Sequence, residues 1–69
     1  MRDRELVGRT GRITSAGAIP AGGAQLGEVM VDGEAYYALS AEKDRGIAAH
    51  AQVLVVDVHP PRTLVVTPL

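Results

Sequence analysis

The pair Asp32-Gly33 constrains the fold of this 69-residue chain more than any other feature of the sequence. A two-residue β-hairpin loop of type I′ requires positive φ at both positions, and Asp-Gly is one of the pairs that meet this requirement. The flanking residues within 26–39 are rich in Val and Tyr, which favour strands. We therefore predict a hairpin in which Val31 pairs with Glu34, and this register fixes every following pair.

Side chains alternate across a strand, so the hairpin has two faces, and both are largely apolar. The face that we expect to line a barrel core consists of Gly27, Val29, Val31, Tyr36 and Ala38. The opposite face consists of Leu26, Glu28, Met30, Ala35, Tyr37 and Leu39. An exposed apolar patch usually marks contact with a protein or a membrane. We therefore predict partner binding by the apolar members Leu26, Met30, Tyr37 and Leu39, with cover by residues 16–25 or 1–6 as the alternative.

Two segments near the end of the chain, residues 52–58 and 63–67, have the composition of strands on either side of a Pro-Pro turn. Strict alternation in the first would put Val58 on the opposite side from Val53. A β-bulge near Val56-Asp57 would return the two valines to the same side.

The first strand is predicted over residues 7–15, VGRTGRITS. Gly8 and Gly11 would mark a bulge or a sharp bend where two backbones approach closely. The alternative is a loop that leads into a short strand beginning at Arg12. Residues 16–25 form a Gly, Pro and Ala-rich segment that we predict to be a surface loop.

The predicted order is a strand, a long loop, the hairpin, a short connection, a strand, a tight turn and a last strand. No segment between strands has the pattern of a crossover helix, so the sheet should be largely antiparallel. These features predict an all-β fold, a five-stranded antiparallel Greek-key barrel that is OB-fold-like, with an SH3-like barrel as the alternative. We predict that residues 1–6 are a flexible N-terminal lead-in and that residues 7–69 form this single domain.

The sequence offers no set of residues typical of catalysis or of metal or cofactor binding. His50 and His59 are not at a chelating spacing, and the chain has no Cys to join them in a zinc site. Asp57 is a lone carboxylate, and no Ser lies in a nucleophile elbow. We therefore predict no catalytic, cofactor-binding or metal-binding residue, and a domain that is not an enzyme.

Binding of nucleic acid is the alternative function, because many OB barrels bind single strands across their second and third strands. Such binding uses stacking aromatic side chains in a basic groove. The corresponding face here has one aromatic residue, Tyr37, beside Glu28, and Arg62 is the nearest cation. With a net charge of −1, the chain is not expected to bind nucleic acid.

Residues 27–40, GEVMVDGEAYYALS, resemble the G-x-V-x-V-x-G-E-x-[W/Y]-x-A-x-S stretch of the NfeD-like family. The opening LVGRTGRITS and the ending VLVVDVHPPRTLVVTPL are similar to the family's L-x-G-x-x-G-x-A and V-x-V-V-x-V…L-x-V-x-P patterns. The resemblance implies the C-terminal soluble domain of such a protein, with an OB-like barrel.

In the NfeD-like family this domain usually follows transmembrane helices and is paired with stomatin- or flotillin-like membrane proteins. Regulation of membrane protease activity is the role often attached to the family. The resemblance therefore implies a soluble fragment of a membrane-associated protein, whose upstream helices are absent from this chain. It also implies a protein-interaction module with a stomatin- or flotillin-like partner.

Overall fold

The computed structural model describes residues 3–20, 26–42, 45–59 and 61–69. A short 3-10 helix, Asp3–Leu6, is followed by strands that form a closed barrel in the order β1-β2-β3-β5-β4. The strands are β1 (Thr10–Ile13), β2 (Gly27–Val31), β3 (Glu34–Ser40), β4 (Gln52–His59) and β5 (Thr63–Pro68). The prediction of an all-β, five-stranded barrel is confirmed.

Four of the strand pairs are antiparallel, and the fifth, between β3 and β5, is parallel. In this parallel pair Tyr37 lies opposite Thr63, and Ser40 lies opposite Val66. Strand directions around a closed barrel must return to their starting sense, so five strands cannot all alternate. The predicted antiparallel arrangement therefore holds for every pair but one, and closure with an odd number of strands requires that exception.

The β2–β3 hairpin has the predicted register, with Val31 opposite Glu34 and Gly27 opposite Ala38. Asp32 has φ 52° and Gly33 has φ 82°, as a type I′ turn requires. The five predicted inward residues of the hairpin are all buried. A one-residue slip would turn this buried set outward, so burial and turn chemistry favour the same register.

The barrel interior is filled by aliphatic side chains from all five strands. The largest fully buried ones are Ile13, Val29, Val31, Val53, Val55, Leu64 and Val66. The predicted bulge in β4 is present as a register shift between Val55 and Asp57. Beyond it Val58 lies opposite Leu64 and packs against the core, so the bulge keeps Val53, Val55 and Val58 on the inner side while Val56 is exposed.

Strand β1 is shorter than the predicted residues 7–15 and begins two residues before the alternative start at Arg12. Gly8 has φ 91° and lies in the turn that leads into the strand. A Cβ built on Gly11 would lie 2.6 Å from Val31 Cγ2 and 2.7 Å from the Met30 carbonyl oxygen. Gly11 therefore allows β1 and β2 to approach closely, which is the role predicted for it.

Two regions expected to lie outside the core contribute to it. Leu6, in the predicted lead-in, is buried and belongs to the core cluster. Ile19, in the predicted surface loop, is 3% exposed and forms an antiparallel bridge with Ile47 through backbone hydrogen bonds of 2.9 and 2.8 Å. These two segments cover the barrel, because a five-stranded barrel leaves open ends that apolar side chains can close. Residues 1–2 and 21–25 of the predicted lead-in and loop lie outside the described residues.

Candidate interaction surface

The four residues predicted to bind a partner lie on one outer side of the barrel. Leu26, Met30 and Tyr37 are 51%, 41% and 57% exposed, and Leu39 is half-buried. The hairpin register places Met30 opposite Ala35 and leaves the whole set on the side away from the core. None of the described segments covers Leu26, Met30 or Tyr37 to the point of burial.

Strand β5 extends this apolar surface, which the hairpin pattern alone could not reveal. The parallel pairing places Val65 opposite Leu39, and Val65 is half-buried. We call the set Leu26, Met30, Tyr37, Leu39 and Val65 the outer apolar face. It spans three neighbouring strands, and Glu28, which pairs with Tyr37, lies between Leu26 and Met30.

Glu28 is the carboxylate that lies within the outer apolar face. Its Oε1 accepts a hydrogen bond of 2.8 Å from Thr14 Oγ1, just after β1. Thr14 also donates its backbone N–H to the Glu28 carbonyl oxygen at 3.1 Å. These contacts hold the Glu28 side chain toward the β1 side, away from the middle of the face.

Arg62 lies in the tight turn between β4 and β5, at the edge of the outer apolar face. Its Nη2 donates to the Ala35 carbonyl oxygen at 2.8 Å, and its guanidinium lies 4.9 Å from the centroid of the Tyr36 ring. Pairing between β3 and β5 begins only at Tyr37. The Arg62 side chain therefore forms a hydrogen bond with the part of β3 that precedes this pairing. Arg62 itself has φ 52°, an uncommon backbone conformation for a residue other than glycine.

A second cation, Arg12, lies on the other side of the outer apolar face. Arg12 is exposed and pairs with Met30 across β1 and β2. The sequence reasoning did not select it, because the register of β1 against β2 is not specified by any turn. Among the described residues, neither Arg12 nor Arg62 takes part in an ion pair.

Two depressions adjoin Arg62 and share it with Tyr36. One, of about 210 Å³, opens onto the outer apolar face and is lined by Glu28, Ala35, Tyr36, Tyr37 and Arg62. The other, of about 370 Å³, lies at the end of the barrel and is lined by Glu5, Leu6, Arg9, Asp32, Glu34, Tyr36 and Arg62.

Polar contacts within the second depression largely satisfy one another. Arg9 Nη1 donates to Asp32 Oδ2 at 2.8 Å, and the Tyr36 hydroxyl donates to Glu34 Oε1 at 2.9 Å. The stacked Arg62 forms the wall toward the other depression. This end of the barrel therefore has one ion pair and one hydrogen-bonded carboxylate, in contrast to the apolar side wall.

The described residues contain no group of three or more His, Cys, Asp or Glu side chains that could hold a metal ion. His50 and His59 are both exposed and lie on different parts of the chain, and His59 Nε2 is 4.0 Å from Asp57 Oδ2. In the same described part of the chain, no helix has the length and hydropathy that crossing a membrane would require.

Comparison with known proteins places the barrel among domains of one family. The family model described as the NfeD C-terminal domain matches residues 10–67. A solved structure with a TM-score of 0.77 is the soluble domain of a membrane protein implicated in regulation of membrane protease activity, from Corynebacterium glutamicum. It is 26% identical, and the match covers 90% of this chain and 89% of that one.

A second solved structure, with a TM-score of 0.76, is the C-terminal domain of stomatin operon partner protein 1510-C from Pyrococcus horikoshii. It is also 26% identical over 94% of this chain and 89% of that chain. No curated protein matches the sequence. The matched residues include all of β1 to β4 and nearly all of β5, so the resemblance extends over the whole barrel.

Proposed function

This chain belongs to the NfeD C-terminal domain family, and we propose that it is a non-enzymatic protein-interaction module that acts with a stomatin- or flotillin-like membrane protein. In this proposal the full-length protein is membrane-associated, and contact with the partner serves the regulation of membrane protease activity. The outer apolar face is the docking surface, with Leu26, Met30, Tyr37 and Leu39 as its contact residues.

The observation that carries the proposal is the exposure of Leu26, Met30 and Tyr37 along β2 and β3, a surface that the half-buried Val65 continues onto β5. Exposed side chains in strands are ordinarily polar, because only the inner face of a barrel is needed for the core. Here Met30 and Tyr37 are 41% and 57% exposed at the centre of a face whose rim holds Arg12, Thr63 and Thr67. An apolar centre with a polar rim is the usual anatomy of a protein–protein contact.

The related solved structures support the choice of partner. One relative is named for a stomatin operon, and the other is a soluble domain of a membrane protein implicated in regulating membrane proteases. A small domain of this kind can act next to a membrane protein without catalytic residues of its own, since binding alone can change a partner's assembly or access.

The proposal is tested by pull-down of the stomatin-like protein encoded next to the gene, using wild-type chain and the double variant Met30→Asp/Tyr37→Asp. Two carboxylates at the centre of the face would have to be desolvated in the complex, so binding should fall by more than tenfold, since roughly 1.4 kcal/mol suffices for each factor of ten. Undiminished binding by a folded double variant would exclude this face.

A matched control is the double variant Val7→Asp/Val56→Asp. These valines are 47% and 40% exposed, close to Met30 and Tyr37, but lie outside the outer apolar face. The control adds the same charge to the chain, so it should bind as the wild type does. Equal loss of binding in both double variants would attribute the effect to net charge and not to the surface.

A further inference from the structure

The outer apolar face lies between two arginines that have no carboxylate partner among the described residues. Arg12 in β1 pairs with Met30 in β2, and Met30 pairs in turn with Ala35 in β3. The Arg62 guanidinium bonds the Ala35 carbonyl oxygen. Arg12, Met30, Ala35 and the Arg62 guanidinium therefore follow one line across the strands.

Strand spacing sets the scale of this arrangement. Neighbouring strands are about 4.8 Å apart, so the backbone of Arg12 and that of Ala35 are separated by roughly 10 Å. Met30, 41% exposed, stands between the two cations. The arrangement is that of an apolar contact with a positive charge on each side.

Glu28 and Glu34 line the depressions that Arg62 borders, but among the described residues no carboxylate forms an ion pair with Arg12 or Arg62. Glu28 is held by Thr14, and Asp32 is paired with Arg9. Arg62 uses one donor on the Ala35 carbonyl oxygen, stacks on Tyr36 and lines the depression that opens onto the face. An arginine with unused donors in a partly apolar setting is well suited to a carboxylate.

We infer that the outer apolar face binds an acidic apolar segment of a partner protein, in which two carboxylates flank an apolar residue and pair with Arg12 and Arg62. In an extended segment, carboxylates at positions i and i+4 and an apolar residue at i+2 lie on the same side, because side chains alternate along a strand. Positions i and i+4 are about 13 Å apart, a span that two long arginine side chains can meet. This inference rests on the proposed function and adds the chemistry of the partner segment.

A single-stranded nucleic acid is the other occupant that two arginines and Tyr37 could bind. The aliphatic centre of the face argues against it, since Leu26, Met30 and Leu39 offer no stacking surface. A protein segment satisfies both the apolar and the charged parts of the surface, and a nucleic acid satisfies only the charged part.

The test uses two capped peptides with the core sequences Glu-Thr-Leu-Thr-Glu and Lys-Thr-Leu-Thr-Lys, titrated into the ¹⁵N-labelled 69-residue chain at low salt. We expect the acidic peptide to shift the amide signals of Met30 and Tyr37 and to bind roughly tenfold more tightly than the basic one, as two exposed ion pairs allow. Added salt should reduce the difference. Equal binding, tighter binding of the basic peptide, or no shift at this face with either peptide would overturn the inference.

Variants then assign the effect to the two arginines. Arg12→Gln/Arg62→Gln should remove the preference for the acidic peptide, and Arg45→Gln, on an exposed residue that pairs with Glu42, should keep it. Arg62 also contacts Ala35 and Tyr36, so its replacement could alter the fold, and Arg12→Gln alone provides a second variant. It should reduce the logarithm of the affinity ratio between the acidic and basic peptides by roughly half. Retention of the full preference in both variants would contradict the assignment.

Two further arms separate this inference from the proposed function and from nucleic-acid binding. If Met30→Asp/Tyr37→Asp weakens capture of the stomatin-like protein while Arg12→Gln/Arg62→Gln does not, the docking surface stands and the acidic segment is wrong. If neither weakens capture, the docking surface fails as well. Shifts of the same amides by a single-stranded oligothymidylate, stronger than those by the acidic peptide, would assign the face to nucleic acid and overturn the inference.

Discussion

Substitution of Gly27 by Ala tests the close approach between the start of β2 and the segment that carries Gly17 and Ile19. A Cβ at Gly27 would lie 2.2 Å from the Gly17 carbonyl oxygen and 2.5 Å from Ile19 Cγ1. The same Gly17 oxygen accepts the Glu28 N–H at 3.0 Å. The added methyl group therefore cannot be accommodated unless the segment that carries Ile19 moves away from the start of β2.

The expected cost follows from these contacts. Overpacking of a buried site costs about 1–3 kcal/mol, and loss of the Gly17–Glu28 backbone hydrogen bond adds about 1 kcal/mol. We expect the free energy of unfolding of Gly27→Ala to fall by about 2–4 kcal/mol. For a domain of this size the midpoint of thermal unfolding should fall by roughly 10–30 °C.

The assay is urea and thermal unfolding followed by circular dichroism, with Gly8→Ala as the matched control. Gly8 has φ 91° but nothing within 4 Å of a built Cβ, so its replacement adds backbone strain of about 1–2 kcal/mol without a clash. The reasoning is refuted if Gly27→Ala is no less stable than Gly8→Ala, because the contact with Gly17 would then have no energetic weight.

Three further predictions concern the core, the β4 bulge and a surface ion pair. Leu64→Ala, at a fully buried position, should lower the free energy of unfolding by about 2–5 kcal/mol in urea titrations; a loss below 1 kcal/mol would contradict the packing. Asp57 Oδ1 accepts the Val58 N–H at 2.8 Å, so Asp57→Ala should lower the free energy of unfolding by about 1 kcal/mol in urea titrations; an unchanged free energy would show that this hydrogen bond does not stabilise the bulge. Arg9→Ala removes an ion pair with Asp32 in which the two side chains are 56% and 54% exposed. The free energy of unfolding should therefore fall by less than about 1 kcal/mol. A larger fall would show that the pair stabilises the fold more than an exposed ion pair does.

The parts of the fold that short-range chemistry decides were predictable from the sequence. The turn at Asp32-Gly33 specified its own conformation and, through the period of two, the register and both faces of the hairpin. The bulge at Val56-Asp57 was predictable because an apolar strand that packs on one side cannot change faces without an extra residue.

The parts that depend on distant segments were not predictable in the same way. The bridge between Ile19 and Ile47 joins two segments without strand pattern, and no local rule selects that pairing. The parallel β3–β5 pair follows from closure of five strands, a property of the whole barrel. The predicted strand over residues 7–15 is longer than β1, because a glycine can lie in a strand or in the turn before it, and Gly8 lies in the turn.

The candidate surface was likewise predictable only where it depends on local structure. Alternation within the hairpin placed Met30 and Tyr37 on the outer side, and their exposure agrees with that placement. Val65 and Arg12 joined the surface through pairings between strands that are far apart in sequence or joined by a long loop. Arg62 could be named as a nearby cation, but its contact with the β3 edge depends on where β5 begins.

The methyl group of Met30 offers the most direct measurement of whether the outer apolar face is the docking surface. The chain has two methionines, so ¹³C-methyl labelling of methionine gives one signal at the centre of the face and one from Met1 as an internal reference. On addition of the stomatin-like protein, we predict that the Met30 signal shifts or broadens in proportion to the fraction bound. Binding that proceeds with an unchanged Met30 signal would contradict the assignment of this face.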